Sequence, residues 1–165
     1  MDDERWDALS CYDRKSLLDF IRTPNMDRIA AEGMRFRNAF VTFSLCSPSR
    51  ATMLTGKDVR THGVKALELA VASTCTIFPA LLRQAGYETA HIGKWHLGKQ
   101  SDVPQTGFDY WAGVRGQGQY VDPLINIDGS PTRFRGFATT FSISCCILMP
   151  PINATSRITA GQSSR

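Results

Sequence analysis

At 165 residues the chain has room for one core of respectable size, and its hydrophobic and charged fractions, 42% and 21%, are those of an ordinary globular protein. A net charge of +4, spread along the sequence, suits an anionic partner, and the lack of basic clusters interleaved with aromatics argues against nucleic acid. No apolar run approaches the ~20 residues of a membrane span, the charged N-terminus has no signal-peptide core, and five cysteines (Cys11, Cys46, Cys75, Cys145, Cys146) form neither a disulfide framework nor a metal-type pair.

The chain opens on Met1-Asp2-Asp3-Glu4-Arg5-Trp6-Asp7. Adjacent carboxylates can bind a hard divalent cation through oxygen, or can simply be a solvated charged terminus. Thr23 predicts a helix start with Pro24 at the first position; Met26, Ile29 and Ala30 share a face and Gly33 stops it. Met34 and Phe36 then alternate with Arg35 and Arg37, which predicts a strand running through Phe40 to Phe43.

The next stretch is Cys46-Ser47-Pro48-Ser49-Arg50-Ala51-Thr52-Met53-Leu54-Thr55-Gly56. It reads as a helix with Ser47 as N-cap, Pro48 first and Gly56 as stop. Cys46 then lies just before a helix N-terminus, where unpaired N–H groups favour an anion, and Arg50 leans back toward the same space. Alone, Cys46 is a buried small hydrophobe or a thiol nucleophile activated by its surroundings. The whole string resembles the signature of the type I sulfatases: Cys, any residue, Pro, Ser, Arg, three residues, Leu-Thr-Gly. In that family a separate enzyme oxidises the cysteine to formylglycine, whose hydrated gem-diol attacks the sulfur of a sulfate ester and then expels sulfate by collapse to the aldehyde. The resemblance implies that Cys46 is the precursor of the nucleophile and Arg50 its stabilising partner. It also implies that Asp2 and Asp3 match the family's Asp-Asp pair and, with the matured Cys46, ligate calcium ahead of magnesium.

After Gly56, His62 in Arg60-Thr61-His62-Gly63 reads as a structural or exposed histidine; the matching family position lies close to the active site, which makes His62 a candidate substrate contact. Leu67, Leu69 and Val71 alternate without a clear pattern around them. Thr76 predicts a helix start, with Pro79 in the first turn, Ile77, Leu81 and Ala85 on one face and Gly86 at the end. Tyr87 to Ile92 reads as a half-buried strand, and helix followed by strand, twice over, indicates an α/β layer.

That strand enters Gly93-Lys94-Trp95-His96-Leu97-Gly98. In an extended chain Lys94 and His96 project together while Trp95 and Leu97 pack behind, either as an exposed strand end or as two nitrogens suited to an oxyanion. The hexapeptide is similar to the second sulfatase signature, which implies that Lys94 and His96 contact the sulfate as catalytic and substrate-binding residues. Gly107 to Gly113 has the composition of a packed turn, with Asp109 a turn former, and Gly116 to Gly118 lacks the Lys-Ser/Thr of a phosphate loop. From Gly136 on there is no Asp, Glu or Lys, whereas the family continues with an acidic amphipathic helix. Residues 137–165 read as an atypical tail, out of frame or disordered, carrying the sequon Asn153-Ala154-Thr155.

The resemblance therefore implies an α/β, alkaline-phosphatase-like sulfatase domain, truncated at both ends, with a mixed, mostly parallel sheet and flanking helices. Residues 1–136 are a partial catalytic domain. The expected activity is sulfuric ester hydrolysis through formylglycine with calcium, on an aryl sulfate or a sulfated carbohydrate, after action of a maturing enzyme. The fragment alone is expected to be weak or inactive, because relatives draw further metal and sulfate ligands from later sequence. The alternatives are a phosphatase or phosphonate hydrolase of the same superfamily, or a non-catalytic gene fragment. Location is open, since intact relatives are often exported.

Overall fold

The computed structural model describes residues 7–12, 21–99, 102–137 and, for the backbone alone, 145–149. The chain divides into two compact units, Met1–Val41 and Thr42–Arg165. In the first, helix α1 (Pro24–Glu32) runs as its sequence predicts. Thr23 holds the N-cap position but makes no side-chain cap bond; it binds Ser10 instead, through its backbone N–H and its Oγ1, each at 2.8 Å. The Ser10 hydroxyl in turn donates to Asp27 at 2.6 Å. Beyond Gly33 the predicted strand does not form. Residues 34–43 are irregular, and Met34, Phe36 and Phe40 are exposed. Alternation expresses a β preference only where a neighbouring strand takes up the backbone groups and one face, and among the described residues none pairs here.

The second unit carries α2 (Cys46–Thr55), α3 (Val59–His62), α4 (Phe78–Gln84) and five strands: β1 (Glu88–Lys94), β2 (Tyr110–Val114), β3 (Leu124–Ile127), β4 (Ser130–Arg133) and β5 (Cys145–Met149). They form one mixed sheet in the order β4-β3-β2-β1-β5. The α/β class is as the sequence implies, but the parallel share is smaller than expected: β1–β2 is parallel, and the β2–β3, β3–β4 and β1–β5 ladders are antiparallel. The turn at Asp128-Gly129 is short enough to allow only an antiparallel return, whereas β1 and β2 are joined by the long crossover that a parallel pair demands.

Helix α2 packs on the sheet face that carries Trp111. Its Ala51 and Leu54 form a core with Val64, Trp95, Leu97 and Trp111, to which Val71, Ile77 and Phe108 add their partly buried side chains. On α4 the expected apolar face is displaced. Leu81 is 54% exposed, and burial falls to Pro79 instead. The reason lies across the crossover: Gly107, at φ +99, has no Cβ, and one would lie 3.1 Å from Cβ of Ala80. The backbone therefore approaches the first turn of α4 directly. Asp109 ties the same elements together, accepting from Arg83 Nε at 2.6 Å and from the Thr89 N–H at 3.0 Å. The Thr89 N–H first, then Arg83 and the Thr89 hydroxyl, hold the Asp109 carboxyl below the usual carboxylate range.

Trp111 anchors the sheet. Its Nε1 donates to the Asp102 carbonyl at 2.6 Å, and its ring lies over Gly113, where a Cβ would come within 2.4 Å of Nε1. Directly across the ladder, His91 pairs with Trp111 and sits with its ring 4.4 Å from the indole, 5.2 Å from Trp95 and 5.6 Å from Phe108. Burial, joined by the charge of Arg50 and opposed by an Nε2–H bond to the Gly93 carbonyl, pushes the imidazole down to about 4.

Two outcomes follow from this floor of rings. Gly113→Ala forces the indole to move and is expected to destabilise by about 1–3 kcal/mol, the usual range for overpacking, read as a lower urea midpoint. His91 is neutral in the fold down to about pH 4, while the unfolded chain takes up its proton near 6.5. Its penalty is absent above pH 6.5, grows as pH falls toward 4 and is complete below. The group therefore removes about 3 kcal/mol of stability across that window. Urea titrations at stepped pH should show a shallower loss in His91→Gln than in the parent chain; equal slopes would remove His91 from the account.

Candidate active site

The nucleophile signature and the second signature meet at the C-terminal end of β1. Helix α2 begins two residues earlier than its sequence suggests: Leu45 is the N-cap, and Cys46 is the first helical residue rather than the residue before the helix. Ser47 is accordingly not the cap. It is fully buried, and its hydroxyl donates to the carbonyl of His96 at 2.6 Å. Gly56 ends the helix in the left-handed conformation, as predicted, with its N–H on the carbonyl of Thr52 at 2.8 Å.

Two further bonds join α2 to the same strand end. Arg50 Nη1 donates to the carbonyl of Lys94 at 2.6 Å. Lys94, only 1% exposed, directs its ammonium to Sγ of Cys46 at 3.5 Å and to Oε1 of Gln117 at 2.6 Å. Cys46, Arg50 and Lys94 are thus brought together. Arg50 reaches the site by bridging to the Lys94 backbone, which sets its guanidinium beside the thiol-bearing turn. His96 joins through its backbone, and its side chain is nearly buried at 6% exposure. The exposed strand end offered by the sequence is therefore not what forms: β1 stops at Lys94, and His96 takes φ +54, so strict alternation does not continue past the strand. Trp95 and Leu97 pack into the core as expected.

His62 is placed differently. Its Nδ1 accepts from the Val64 N–H at 3.1 Å, which assigns the ring proton to Nε2, bonded to the hydroxyl of Thr52 at 3.0 Å. The buried imidazole stitches α3 to α2, and both ring nitrogens are engaged in that stitch. Asp2 and Asp3 lie outside the described residues. Among the described residues no group of three or more His, Cys, Asp or Glu could hold a metal ion, and no helix is long and apolar enough to cross a membrane.

Gln117 and Ser47 are the participants that motif reading passes over. Gln117 sits between two glycines of positive φ, Gly116 at +56 and Gly118 at +77, and Gly118 closes the turn with its N–H on Arg115 O at 2.9 Å. The turn presents a neutral acceptor to a buried cation. That oxygen satisfies one of three ammonium donors without cancelling the charge. Gln117 also lines a groove of about 420 Å³ with Asp102, Arg115, Gln119, Leu124 and Pro131, one wall of which is the Arg115–Asp102 ion pair at 2.9 Å. A Gly-Gln-Gly turn after a strand carries no such meaning by itself; only the cross-strand neighbour reveals it.

Comparison with known proteins covers the stretch that holds these residues. The chain is 45% identical over 141 residues to an N-acetylglucosamine-6-O-sulfatase of Bacteroides thetaiotaomicron, covering 84% of this chain and 24% of that protein. It is 37% identical over 128 residues to human N-acetylgalactosamine-6-sulfatase, covering 68% of this chain and 24% of the relative. Among solved structures, BT4656 in complex with its substrate D-glucosamine-2-N,6-O-disulfate superposes with a TM-score of 0.66 at 44% identity, over 73% of this chain and 24% of that one. A complex of Ps i-CgsB with k-i-k-neocarrahexaose shares the fold at TM-score 0.70 and 23% identity, over 82% and 36% of the two chains. The chain spans about a quarter of the length of the curated relatives it matches. The sulfatase family model itself matches residues 1–129, taking in both signatures, and on that match the chain belongs to the sulfatase family.

Proposed function

We propose that the protein of which this chain forms part hydrolyses a sulfate ester on an amino sugar, through a nucleophile made from Cys46. The observation that carries the reading is the 3.5 Å contact of the buried Lys94 ammonium with Cys46 Sγ, on a helix whose Arg50 grips the same strand. An enclosed cation beside a helix N-terminus is a receptor for an anion, and a sulfate ester brings its reactive atom there ringed by anionic oxygens. Sulfatases are generally formylglycine-dependent and calcium-binding; when matured, Cys46 supplies a hydroxyl nucleophile in place of the thiol.

The rest falls to this chain's own side chains. Lys94 and Arg50 offset charge that builds on the sulfate oxygens, and His96 is proposed as a further sulfate contact. His62 retains only the family's positional match as support. Asp2 and Asp3 are proposed as calcium ligands on the same kind of match, and no step is derived through the ion. The groove beyond Gln117 mixes the amides of Gln117 and Gln119 and the Arg115–Asp102 ion pair with the apolar Leu124 and Pro131, a lining that can meet both the hydroxyls and the apolar face of a sugar ring. Together with the relatives that act on 6-sulfated amino sugars, this favours a carbohydrate sulfate. A phosphatase or phosphonate hydrolase is not favoured, because both sulfatase signatures are complete.

After coexpression with a maturing oxidase, mass spectrometry of the Cys46 peptide should show loss of sulfur, and a peptide that keeps it would end the nucleophile assignment. The matured protein should release sulfate from 6-O-sulfated N-acetylglucosamine in preference to phosphate from the matching phosphate ester, and Cys46→Ala should abolish release; a phosphate preference would move the protein to another class. Gln117→Glu places a carboxylate on Lys94 and should lower kcat/KM for the sulfate ester roughly tenfold or more, about 1.4 kcal/mol, whereas an unchanged value would show that the Lys94 charge is not used.

A further inference from the structure

The sulfatase signature accepts any residue after its cysteine. Here that residue is Ser47, and its side chain is fully enclosed, with the hydroxyl 2.6 Å from the carbonyl oxygen of His96. The acceptor residue is conformationally unusual. His96 has φ +54, in the left-handed region that non-glycine residues seldom enter, although Asn, Asp and His do so more often than the rest. Among the described residues the other non-glycine positions of positive φ are Glu68, Asp122 and Asp128, and both aspartates are residue types that adopt it readily. A left-handed histidine persists only where its surroundings hold it.

The surroundings of His96 are specific. Trp95 and Leu97 on either side are locked in the core, which leaves the backbone of His96 little freedom to turn. The carbonyl of that residue points into the interior and requires a donor. Ser47 lies in the first turn of α2, where no preceding helical carbonyl competes for its hydroxyl, so the O–H is available to a partner from another element.

We infer that Ser47 is a positioning residue: its hydroxyl holds the His96 backbone in the left-handed conformation and thereby fixes where the His96 imidazole stands relative to Cys46, the neighbour of Ser47 on α2. The inference rests on the sulfatase reading only for what His96 does with a substrate; the link between hydroxyl and carbonyl stands without it. Alanine at position 47 removes the donor, and threonine keeps it.

The chain has three histidines, at 62, 91 and 96, so a chain labelled with 13C-histidine gives three ring signals, each assigned by its own substitution. Ser47→Ala is expected to shift or broaden the His96 signal while those of His62 and His91 stay in place, and Ser47→Thr is expected to return His96 toward its original position. A His96 signal unmoved by Ser47→Ala, or three signals that move together, overturns the inference. If Ser47→Ala alone yields no folded chain, placing it in a His96→Gly background, which relieves the left-handed backbone, should restore folding; failure there too would overturn it. None of these readouts needs sulfate release, so loss of the sulfatase reading and loss of this inference are distinguishable.

Discussion

The ammonium of Lys94 is the constraint from which the second unit takes its form. A lysine with 1% of its surface exposed has surrendered its hydration, and that is tolerable only where donors meet acceptors or an anion is received. Two of the acceptors it meets come from distant stretches: Gln117 from the turn after β2, and Cys46 from the first turn of α2. Satisfying one cation therefore draws a helix start, a strand end and a glycine-flanked turn to the same point.

Around that point the helix and strand are joined by main-chain acceptors as well as side chains. The Lys94 carbonyl takes Arg50 and the His96 carbonyl takes Ser47, two residues apart along the chain and three apart along α2. The spacing matches the geometry of a helix laid along an extended segment, in which neighbouring turns address successive outward carbonyls. Beneath this seam lies the aromatic floor of His91, Trp95, Phe108 and Trp111, which excludes water from the back of the site. The neutral state of His91 leaves the floor without a charge that would compete with Lys94 and Arg50 for an anion.

Much of this was legible in the residues. Pro24 and Gly33 bound α1, Gly56 stops α2, and β1 runs where Tyr87 to Ile92 predicted, extended to Lys94, because capping chemistry and hydrophobic period act locally. The two signatures singled out Cys46, Arg50, Lys94 and His96 as candidates before any geometry, and the fold brings the first three together. What escaped depends on neighbours distant in sequence. Ser47 looked like a cap because serine before proline usually is one, yet its tertiary partner 49 residues away took the hydroxyl. Gln117 looked like filler, and its meaning came from a lysine 23 residues earlier. Residues 34–43 show the converse: a strong local alternation with no strand beside it stays irregular.

The pairing of β1 with β2 gives the site a kind of address. His91 stands opposite Trp111, Gly93 opposite Gly113 and Lys94 opposite Val114. A slip of one residue along that ladder would turn every side chain to the other face, carrying His91 out of its nest of rings and putting Gly93 or Trp95 where the ammonium belongs. Only one alignment sets the imidazole of His91 against the indole of Trp111 across the ladder. The floor of rings is thus a key that admits a single register, and the position of the buried ammonium is counted off from it, three places further along the strand.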